Sequence, residues 1–347
     1  DFLSRIPVAQ DGSCSGIQHY SAMLKDKRGG AAVNLTPSDK PEDIYGAVAE
    51  VVKRKMQEII DGDLKVEVNS AGKELDLPYI AKLCEAWLST GVDRKLCKKP
   101  VMTLPYGSTM ITCRASIEDH LSELQADEEA RAKAAGRQSN PMHPFGGQGS
   151  ELPLQDAIAV CTRLLWDSIG EVVVAAREGM GFIQRVAGAV AKENSPLYWT
   201  TPTGFIVEQA LYEYKNQRIV TQLAGSMTCT IRTETDKIDV SRMKSSAAPN
   251  FVHSMDASHL IRSVNAFDAD GLSSVAVIHD SFGTHAGKTE QLRACLQKEF
   301  VNLYIEDWLT AFKDEVEDEM KIEIEEDAPM IGTLDLLEVL DADYAFA

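Results

Sequence analysis

The sequence predicts an α+β protein in which helices predominate. Long segments carry apolar residues at the spacing of one helix face, about every 3.6 residues. A few short segments are rich in β-branched and aromatic residues and are bounded by turn formers, as strands are. The chain has 347 residues, of which 44% are hydrophobic and 25% charged, as is typical of a globular protein. At this length we expect interlocked subdomains.

The first half of the chain is predicted to be mostly helical. A strand-like stretch at 2–9 leads through a turn at 11–16 into the first helix. The predicted helices of this half are 17–25, 40–61, 77–90 and 117–135. In the segment 93–106, Pro100 and Pro105 each remove a helical hydrogen bond, so a helix there should start late or bend. The proline- and glycine-rich stretch 140–150 predicts a loop and is a candidate position for an insertion.

The second half mixes helices with strands. Residues 154–191 read as one long core helix with breaks near Gly179 and Gly181. Residues 197–235 favour strands, and Lys215–Asn216 is a weak hairpin signal within them. Val275–Asp280 predicts a buried strand that ends in a tight turn. The remaining predicted helices are 250–266, 291–309 and 312–320.

The charge is distributed unevenly along the chain. The formal net charge is −18, which argues against binding nucleic acid through bulk charge. Residues 306–343 contain 15 acidic residues and two lysines, so −13 of that charge lies there. The segment 82–114 holds six basic and two acidic residues and is the one strong basic patch. We therefore expect the acidic segment to face solvent or a basic partner, and any DNA-facing side to be near neutral or positive.

The cysteines and the hydropathy limit the class of protein further. The seven cysteines are scattered and form no Cys-x-x-Cys pair, which disfavours structural zinc or a disulfide framework and favours a reducing compartment. No window approaches the roughly 18 apolar residues of a membrane span, and the first ten residues lack a signal-peptide pattern. A membrane protein is therefore not expected.

Two aspartates stand at the ends of predicted strands, next to turns. Asp11 precedes Gly12 and Asp280 precedes Ser281, so each carboxylate should emerge where a buried sheet meets solvent. Mg²⁺ prefers oxygen ligands and commonly takes one or two carboxylates together with phosphates and water. Taken alone, either aspartate is better explained as a turn former, because Asp-Gly and Asp-Ser are common turn dipeptides.

The basic patch has the spacing of a phosphate-binding helix face. Arg94 and Lys98 are four residues apart and would share one face, which Lys95 and Lys99 would widen. A triphosphate on that face would meet a guanidinium and an ammonium, which can neutralise charge on a departing pyrophosphate. The charges alone are better explained as a solvated helix face. The aromatic residue and glycine at 106–107, together with the two aspartates, favour the phosphate-binding interpretation.

In combination these residues resemble the single-subunit, bacteriophage-type DNA-directed RNA polymerases, which include organellar enzymes. Three motifs similar to those of the family occur in the family's order, namely Asp11–Tyr20, Arg94–Gly107 and Ile278–Gly283. Residues 248–256 and the last four residues, 344–347, resemble it too. The resemblance implies a right-hand polymerase fold, with a small antiparallel palm sheet and largely helical fingers.

The resemblance implies a catalytic centre with two Mg²⁺ ions. Asp11, Asp280 and the carbonyl of Gly12 match the metal-binding positions, and the ions should lie about 3.5 to 4 Å apart. One ion would activate the RNA 3′-hydroxyl and the other would accompany pyrophosphate. Lys98 matches the family's candidate general acid for the leaving group.

The resemblance also implies the residues that bind the nucleotide. They are Arg94, Tyr106, Gly107, His253 and His279. Arg94 would contact the triphosphate together with Lys98, and Tyr106 would stack at the insertion site and sense the ribose 2′-hydroxyl with His253. Gly107 would allow close approach of the template. His279 would support the neighbouring aspartate, with a buried structural histidine as the alternative.

The implied domain organisation follows the order of the motifs. The expected parts are 1–76, palm leading into fingers; 77–200, fingers with a loop insertion near 140–150; 201–245, a promoter-specificity hairpin; and 246–347, the fingers return, palm and C-terminal foot. In the hairpin, Gln217, Arg218, Gln222 and Arg232 are candidate readers of base edges, since Arg and Gln make bidentate purine contacts.

Some features depart from the family pattern. Pro100 and Pro105 interrupt the fingers motif, and Lys99 stands where many relatives have arginine. The family's N-terminal domain, its thumb and the first part of its palm should precede Asp1, so we expect a fragment, a processed product or a separate subunit. As a subunit, the chain would form a heterodimer with a partner chain that supplies the missing parts. The expected partners are otherwise promoter and template DNA, nascent RNA and nucleoside triphosphates. Ser15 with Ile17 favours the bacteriophage branch, and hence the cytoplasm of an infected bacterium, over an organelle.

Two alternatives remain open at this point. A family A DNA polymerase shares the palm and the basic helix motif, but it typically has glutamate after the last aspartate, where this chain has Ser281. A catalytically silent binding subunit with the same fold has no physical need to retain Asp11, Lys98, Tyr106 and Asp280 together.

Overall fold

A computed structural model of the chain describes residues 6–146, 151–222, 225, 227–271 and 274–347. The chain divides into two compact units. Unit 1 comprises residues 1–30, 35–37 and 175–347, and unit 2 comprises residues 31–34 and 38–174. The first strand-like stretch, the 140–150 loop and the hairpin tip lie partly outside the described residues.

The described residues form a mixture of helices and short antiparallel strands, which confirms the predicted α+β class. The helices are α1 Ser15–Met23, α2 Lys27–Ala32, α3 Ile44–Asp61, α4 Leu77–Thr90, α5 Arg94–Thr103, α6 Met110–Ala134, α7 Leu154–Val172, α8 Val174–Lys192, α9 Val240–Ala269, α10 Thr289–Leu303 and α11 Trp308–Met320. The strands are β1 Val8–Asp11, β2 Asn69–Ser70, β3 Lys73–Glu74, β4 Leu197–Thr200, β5 Ile206–Gln209, β6 Tyr212–Thr221, β7 Met227–Ile238, β8 Val275–Ile278 and β9 Ser281–Thr284.

The central sheet of unit 1 has three antiparallel strands in the order β1-β9-β8. The middle strand β9 is largely buried, and Phe282 at its centre is only 2% exposed. The predicted burial of the segment 275–278 is wrong, because β8 is an edge strand on which Ile278 is 75% exposed. Helix α9 packs on α1 and α10, and every residue of α1 is buried.

Unit 2 is a helical body built around α3, which packs on α4, α5 and α7. Three of its helices begin at aspartate N-caps: Asp43 caps α3, Asp76 caps α4 and Asp93 caps α5, each side chain accepting a backbone amide. Trp87 is fully buried, and its indole N–H donates to the carbonyl of Ala157 at 2.8 Å. The Asp93 cap fixes where α5 begins.

A predicted helix break and a predicted hairpin turn do not lie at the residues expected from the sequence. The long helix predicted over 154–191 breaks at Val173, which separates α7 from α8, and not at Gly179 or Gly181, which lie inside α8. A Cβ atom at Gly179 would lie 3.0 Å from the ring of Tyr20, so this glycine makes room for a packed ring. The hairpin does not turn at Lys215–Asn216, because both residues are paired within β6, opposite residues 232–233 of β7.

No helix in the described part of the chain is both long and apolar enough to cross a membrane.

Candidate active site

One end of the unit 1 sheet carries two carboxylates. Strand β1 pairs with β9 in a register that sets Asp11 opposite Ser281. The β8–β9 hairpin turns at 279–280, so Asp280 directly precedes Ser281. Opposed residues in an antiparallel pair have Cα atoms about 4.5–5.5 Å apart. The register therefore brings the two aspartates predicted as metal ligands to the same strand ends.

The turn that carries Asp280 has an unusual backbone. His279 adopts a φ of 53°, a left-handed value that is uncommon for a residue with a Cβ atom, although tight hairpin turns require such values. The side chain of His279 is exposed, so the alternative of a buried structural histidine is wrong. Burial raises the pKa of the half-buried Asp280, and the nearby carboxylate of Asp256 adds to this, against smaller lowering effects that include the charge of His279.

The backbone at Asp11 is also held by the last residues of the chain. The amide of Ala347 donates to the carbonyl of Asp11 at 3.2 Å, and Gly12 forms an antiparallel bridge with Phe346. The Gln18 side chain donates to a carbonyl of the same terminal segment at 2.9 Å. A Cβ atom at Gly12 would lie 2.5 Å from Oε1 of Gln18, so the position fits glycine without displacing that side chain. The segment 344–347 thus fixes the backbone that carries Asp11.

A largely buried polar network connects α1, α9 and the end of α10. Asp256 on α9 accepts a hydrogen bond from the Ser15 hydroxyl at 3.0 Å, and its Oδ1 lies 3.3 Å from Nε2 of His19. Nδ1 of His19 is hydrogen-bonded to the Tyr304 hydroxyl. Burial acts to raise the pKa of Asp256, but the hydrogen bonds from His19 and Ser15 lower it on balance. Sequence reasoning assigned none of these four residues a place in the site, although Ser15 and His19 lie within the motif Asp11–Tyr20 and Asp256 ends the motif 248–256.

His253 lies three residues before Asp256 on α9, about one helical turn away. Its side chain is exposed, whereas that of Asp256 is mostly buried. The predicted ribose sensor and the polar network therefore share one rigid element.

The basic motif of unit 2 lies on α5. The helix begins directly at Arg94 with the side chain of Asp93 accepting the Leu96 amide at 3.0 Å, so the expectation of a late start is wrong. Pro100 lies inside this helix, where its missing N–H leaves one helical hydrogen bond unmade. The N-cap and the burial of Leu96, Cys97 and Val101 hold the helix despite the proline.

The four basic side chains of α5 are not equivalent. Lys95 lies 3.5 Å from a carboxylate oxygen of Glu123, and Lys99 lies 2.7 Å from one of Asp119, both on α6. The hydrogen bond and charge of Asp119 raise the pKa of Lys99. Lys98 is exposed and forms no ion pair within the described part of the chain. The two neighbours thus add little free positive charge, contrary to expectation, and Lys98 is the cation available for an anion.

Arg94 is held by the first turn of α3. Its Nε donates to Oδ2 of Asp43 at 3.0 Å, and its guanidinium lies 5.0 Å from the ring centroid of Tyr45. A cation over an aromatic face at this distance is attracted to the ring. Arg94 and Lys98 nevertheless both lie on α5 four residues apart, as the spacing predicted.

Tyr106 and Gly107 follow α5 through a 3₁₀ turn at Leu104–Tyr106. Gly107 has a φ of 82°, and its amide donates to the Leu104 carbonyl at 3.0 Å. A left-handed residue at this point favours glycine, which gives Gly107 a backbone role in addition to any role in template approach. Tyr106 is half-buried at the end of the turn.

The carboxylate pair fits a hard divalent cation. Among the residues that the structure describes, no group of three or more His, Cys, Asp or Glu side chains is arranged to hold a metal ion. Mg²⁺ needs only one or two carboxylates when phosphates and water supply the other ligands. Asp11 and Asp280 meet that requirement, and the negative charge of Asp256, which adds to the raised pKa of Asp280, is one that a bound cation would offset.

Strands β6 and β7 form a long exposed hairpin at 212–238. Arg218 is opposite Thr230 and Arg232 is opposite residue 216, so both arginines lie on one face of the ribbon and Gln217 lies on the other. Arg232 lies 4.7 Å from the ring centroid of Tyr214, and Gln222 is exposed just after β6. The hairpin thus carries polar side chains on both faces.

Comparison with known proteins identifies relatives over nearly the whole chain. The family model described as DNA-dependent RNA polymerase matches residues 1–328. The mitochondrial DNA-directed RNA polymerase 1B of Nicotiana tabacum is 35% identical over 99% of this chain and 31% of its own length. The DNA-directed RNA polymerase of Enterobacteria phage T3 is 34% identical over 99% of this chain and 40% of its own length. The DNA-directed RNA polymerase 2A of Nicotiana tabacum is 33% identical, and there the match covers 92% of the relative. The chain thus spans well under half of the first two relatives.

Proposed function

This chain belongs to the family of DNA-dependent RNA polymerases, and from that premise we propose that it carries template-directed nucleotidyl transfer from nucleoside triphosphates to the 3′ end of RNA. The observation that carries the proposal is the register that sets Asp11 opposite Ser281, next to Asp280. This register supports a pair of carboxylates at one end of the sheet. Metal-assisted nucleotidyl transfer needs such a pair as metal ligands.

The proposed reaction is an in-line displacement at phosphorus. The 3′-hydroxyl oxygen of RNA forms a bond to the α-phosphorus, and the bond from that phosphorus to the α–β bridging oxygen breaks. Pyrophosphate leaves with a proton donated by the Lys98 ammonium, while the hydroxyl proton passes to solvent. Asp11, Asp280 and the Gly12 carbonyl would hold two Mg²⁺ ions, which supply Lewis acidity to hydroxyl and phosphate oxygens when bound.

Residues of unit 2 would bind the nucleotide in the same reaction. Arg94 would contact the triphosphate and Tyr106 would stack on the incoming base. Tyr106 with His253 would test the ribose 2′-hydroxyl, a discrimination that hydrogen-bonding groups perform well. Gly107 would leave room for the template, and His279 would support the neighbouring Asp280.

The test of the proposed function is primer extension. RNA annealed to a DNA template is incubated with ribonucleotides and Mg²⁺, using the chain alone and together with a separate chain that corresponds to the front part of a longer relative, the proposed heterodimer partner. We expect extension to require Mg²⁺ and to disappear in Asp280→Asn. Extension that persists in Asp280→Asn would exclude the assigned mechanism.

The 2′-hydroxyl assignment has its own measurement. Ribonucleotides and deoxyribonucleotides are compared as competing substrates for the parent chain and for Tyr106→Phe. We expect the preference for ribonucleotides to fall about tenfold or more in the variant, since a hydrogen-bond donor is lost. An unchanged preference would remove Tyr106 from ribose selection.

We further propose that the β6–β7 hairpin contacts promoter DNA. Arg218 and Arg232 lie on one face of an exposed ribbon, as a groove-binding element requires, and Gln217 and Gln222 could read base edges. Replacing Arg218 with alanine should weaken promoter binding selectively, whereas a phosphate contact alone would weaken all DNA equally. For a phage-encoded chain, the place of action is the cytoplasm of the infected bacterium.

A further inference from the structure

The first turn of α3 and the side chain of Arg94 form one built assembly. Asp43 performs two tasks: its Oδ1 accepts the Tyr45 amide at 3.2 Å and caps the helix, while its Oδ2 accepts from Nε of Arg94 at 3.0 Å. The ring of Tyr45 lies beside the guanidinium, with 5.0 Å from Cζ of Arg94 to the ring centroid. Tyr45 is only 5% exposed, so its ring is a fixed platform.

Gly46 completes this assembly by its lack of a side chain. A Cβ atom there would lie 2.9 Å from Oδ2 of Asp43, the same oxygen that accepts from Arg94. Space for the carboxylate is therefore made by a glycine in the first turn of a helix, where glycine is otherwise an unfavourable residue. The lower helix propensity of Gly46 is offset if the position of the Asp43 carboxylate is required for function.

The contacts of Arg94 leave part of its guanidinium unused. Only Nε is bound to Asp43, and Nη1 and Nη2 form no hydrogen bond with any residue in the described ranges. Those two groups carry four N–H donors, in the planar geometry that matches two phosphate oxygens. The Asp43 bond and the Tyr45 ring together restrict the rotation of the side chain, which lowers the entropy lost when it binds an anion.

We propose that the turn Asp43–Gly46 is a positioning site that holds the Arg94 guanidinium ready for the polyphosphate of an incoming nucleotide. This rests on the proposed function, in which Arg94 contacts the triphosphate. Asp43 and Tyr45 act through Arg94 and do not themselves touch the nucleotide. The alternative is that Asp43 competes with phosphate for Arg94. Removal of Asp43 would weaken nucleotide binding if it positions Arg94 and would strengthen binding if it competes.

The test compares binding of GTP and GMP to the full chain by isothermal titration. The variants are Asp43→Ala, which removes the carboxylate, and Gly46→Ala, which displaces it while placing a better helix former in α3. Each should weaken GTP binding roughly 2- to 5-fold, the range expected for loss of an exposed charge pair, and leave GMP binding unchanged. The matched control is Asp76→Ala, which removes the cap of α4 in the same unit and should change neither affinity.

Two further arms separate the possible failures. In an Arg94→Ala background, Asp43→Ala should have no additional effect on GTP binding. If Arg94→Ala weakens GTP binding but Asp43→Ala and Gly46→Ala leave it equal or tighter, the positioning proposal is overturned and the triphosphate contact stands. If Arg94→Ala binds GTP like the parent, the contact itself fails and the positioning proposal falls with it.

A measurement without nucleotide tests the same assembly directly. In a ¹⁵N NMR spectrum of the arginine side chains, the Nε–H of Arg94 should exchange slowly with solvent in the parent and in Asp76→Ala. Exchange should be faster in Asp43→Ala and Gly46→Ala. Equal exchange in all four proteins would show that Asp43 does not hold Arg94 in solution, which also overturns the proposal.

Discussion

The Nζ atom of Lys99 lies 2.7 Å from Oδ2 of Asp119, and this ion pair joins α5 to α6. The adjacent Lys98 forms no ion pair with any residue that the structure describes. Two lysines adjacent in sequence thus differ in what their charge is available to do. Lys99 is already neutralised within unit 2, whereas Lys98 can meet an external anion.

Lys98→Ala should lower kcat for nucleotide addition about 100-fold or more, because a positioned general acid contributes at least that much. Lys99→Ala is the matched control on the same helix. It should lower the free energy of unfolding by no more than about 1 kcal/mol, as for other exposed ion pairs, and leave kcat within about twofold. The measurements are single-turnover extension and urea unfolding. Equal losses of kcat in the two variants would mean that general positive charge, and not Lys98 itself, is required.

The two glycines of α8 should respond to alanine in opposite directions. Gly181→Ala should raise the free energy of unfolding by up to about 0.5–1 kcal/mol, because alanine favours the helix. Its Cβ meets only the end of the exposed Arg185 side chain, at 2.9 Å, and a shift of that side chain costs at most its surface ion pair with Glu326. Gly179→Ala should lower stability by about 1 kcal/mol or more, since its Cβ would press on the buried ring of Tyr20 at 3.0 Å. Thermal and urea unfolding measure both. A stabilising Gly179→Ala would show that the ring can move at little cost.

Stability should decline with acid because of His259. This side chain is buried, its Nε2 lies 2.9 Å from the Leu296 carbonyl, and burial lowers the pKa of His259 to about 4. Above the unfolded pKa of roughly 6.5 both states are neutral and the contribution to stability is complete. Between about 6.5 and 4 the unfolded state takes up a proton that the folded state does not, so the free energy of unfolding falls by up to about 1.4 kcal/mol per pH unit.

The comparison that isolates this effect is His259→Gln, whose side-chain amide can still donate to the Leu296 carbonyl. Urea unfolding of the parent and the variant is measured at pH values from 7 to 4.5. As pH falls, the parent should lose the stability that neutral His259 contributes, whereas the glutamine variant does not titrate at this position. The stability advantage of the parent over the variant should therefore shrink. A difference that stays constant over this range would assign the acid sensitivity of the parent to other groups.

Asp256→Ala should destabilise unit 1 by about 1–3 kcal/mol, because it leaves the hydroxyl of Ser15 and Nε2 of His19 without their acceptor in a buried setting. The control is Asp268→Ala, an exposed position on the same helix, which should stay within about 0.5 kcal/mol of the parent. Equilibrium unfolding measures both variants. Similar, small changes in the two would mean that water replaces the Asp256 carboxylate without loss.

Local signals in the sequence were sufficient for many elements. The helix predicted at 77–90 matches α4 at both ends, because Asp76 supplies the N-cap, Pro78 suits the first turn and Gly91 ends the helix. The predicted α+β class is confirmed because it too depends on local signals, namely the spacing of apolar residues and the turn formers between elements. The break at Val173 had no comparable signal, since neither glycine nor proline stands there.

Long-range contacts explain what the sequence could not predict. The partners of Asp256 are 241 and 237 residues away, on another helix, and no local pattern links them. The pairing of Lys99 with Asp119, and of Arg94 with Asp43, likewise depends on how α3, α5 and α6 pack. Lys215–Asn216 resembled a turn by composition, but the ladder between β6 and β7 continues through it. The sequence therefore indicated which residues could bind an anion, but it did not indicate which of them are already paired with a carboxylate in the fold.

The pairing of β1 with β9 has a consequence for the order in which this protein can mature. Val8–Asp11 emerges from the ribosome well before its partner Ser281–Thr284, which follows about 270 residues later. Contacts between such distant segments form slowly, because the long intervening loop must first be closed. The carboxylate pair thus cannot assemble on a nascent chain that has not yet reached Ser281–Thr284, and products truncated before that strand should not acquire the proposed metal-binding arrangement. The pairing therefore makes formation of the proposed catalytic centre a late event in biosynthesis.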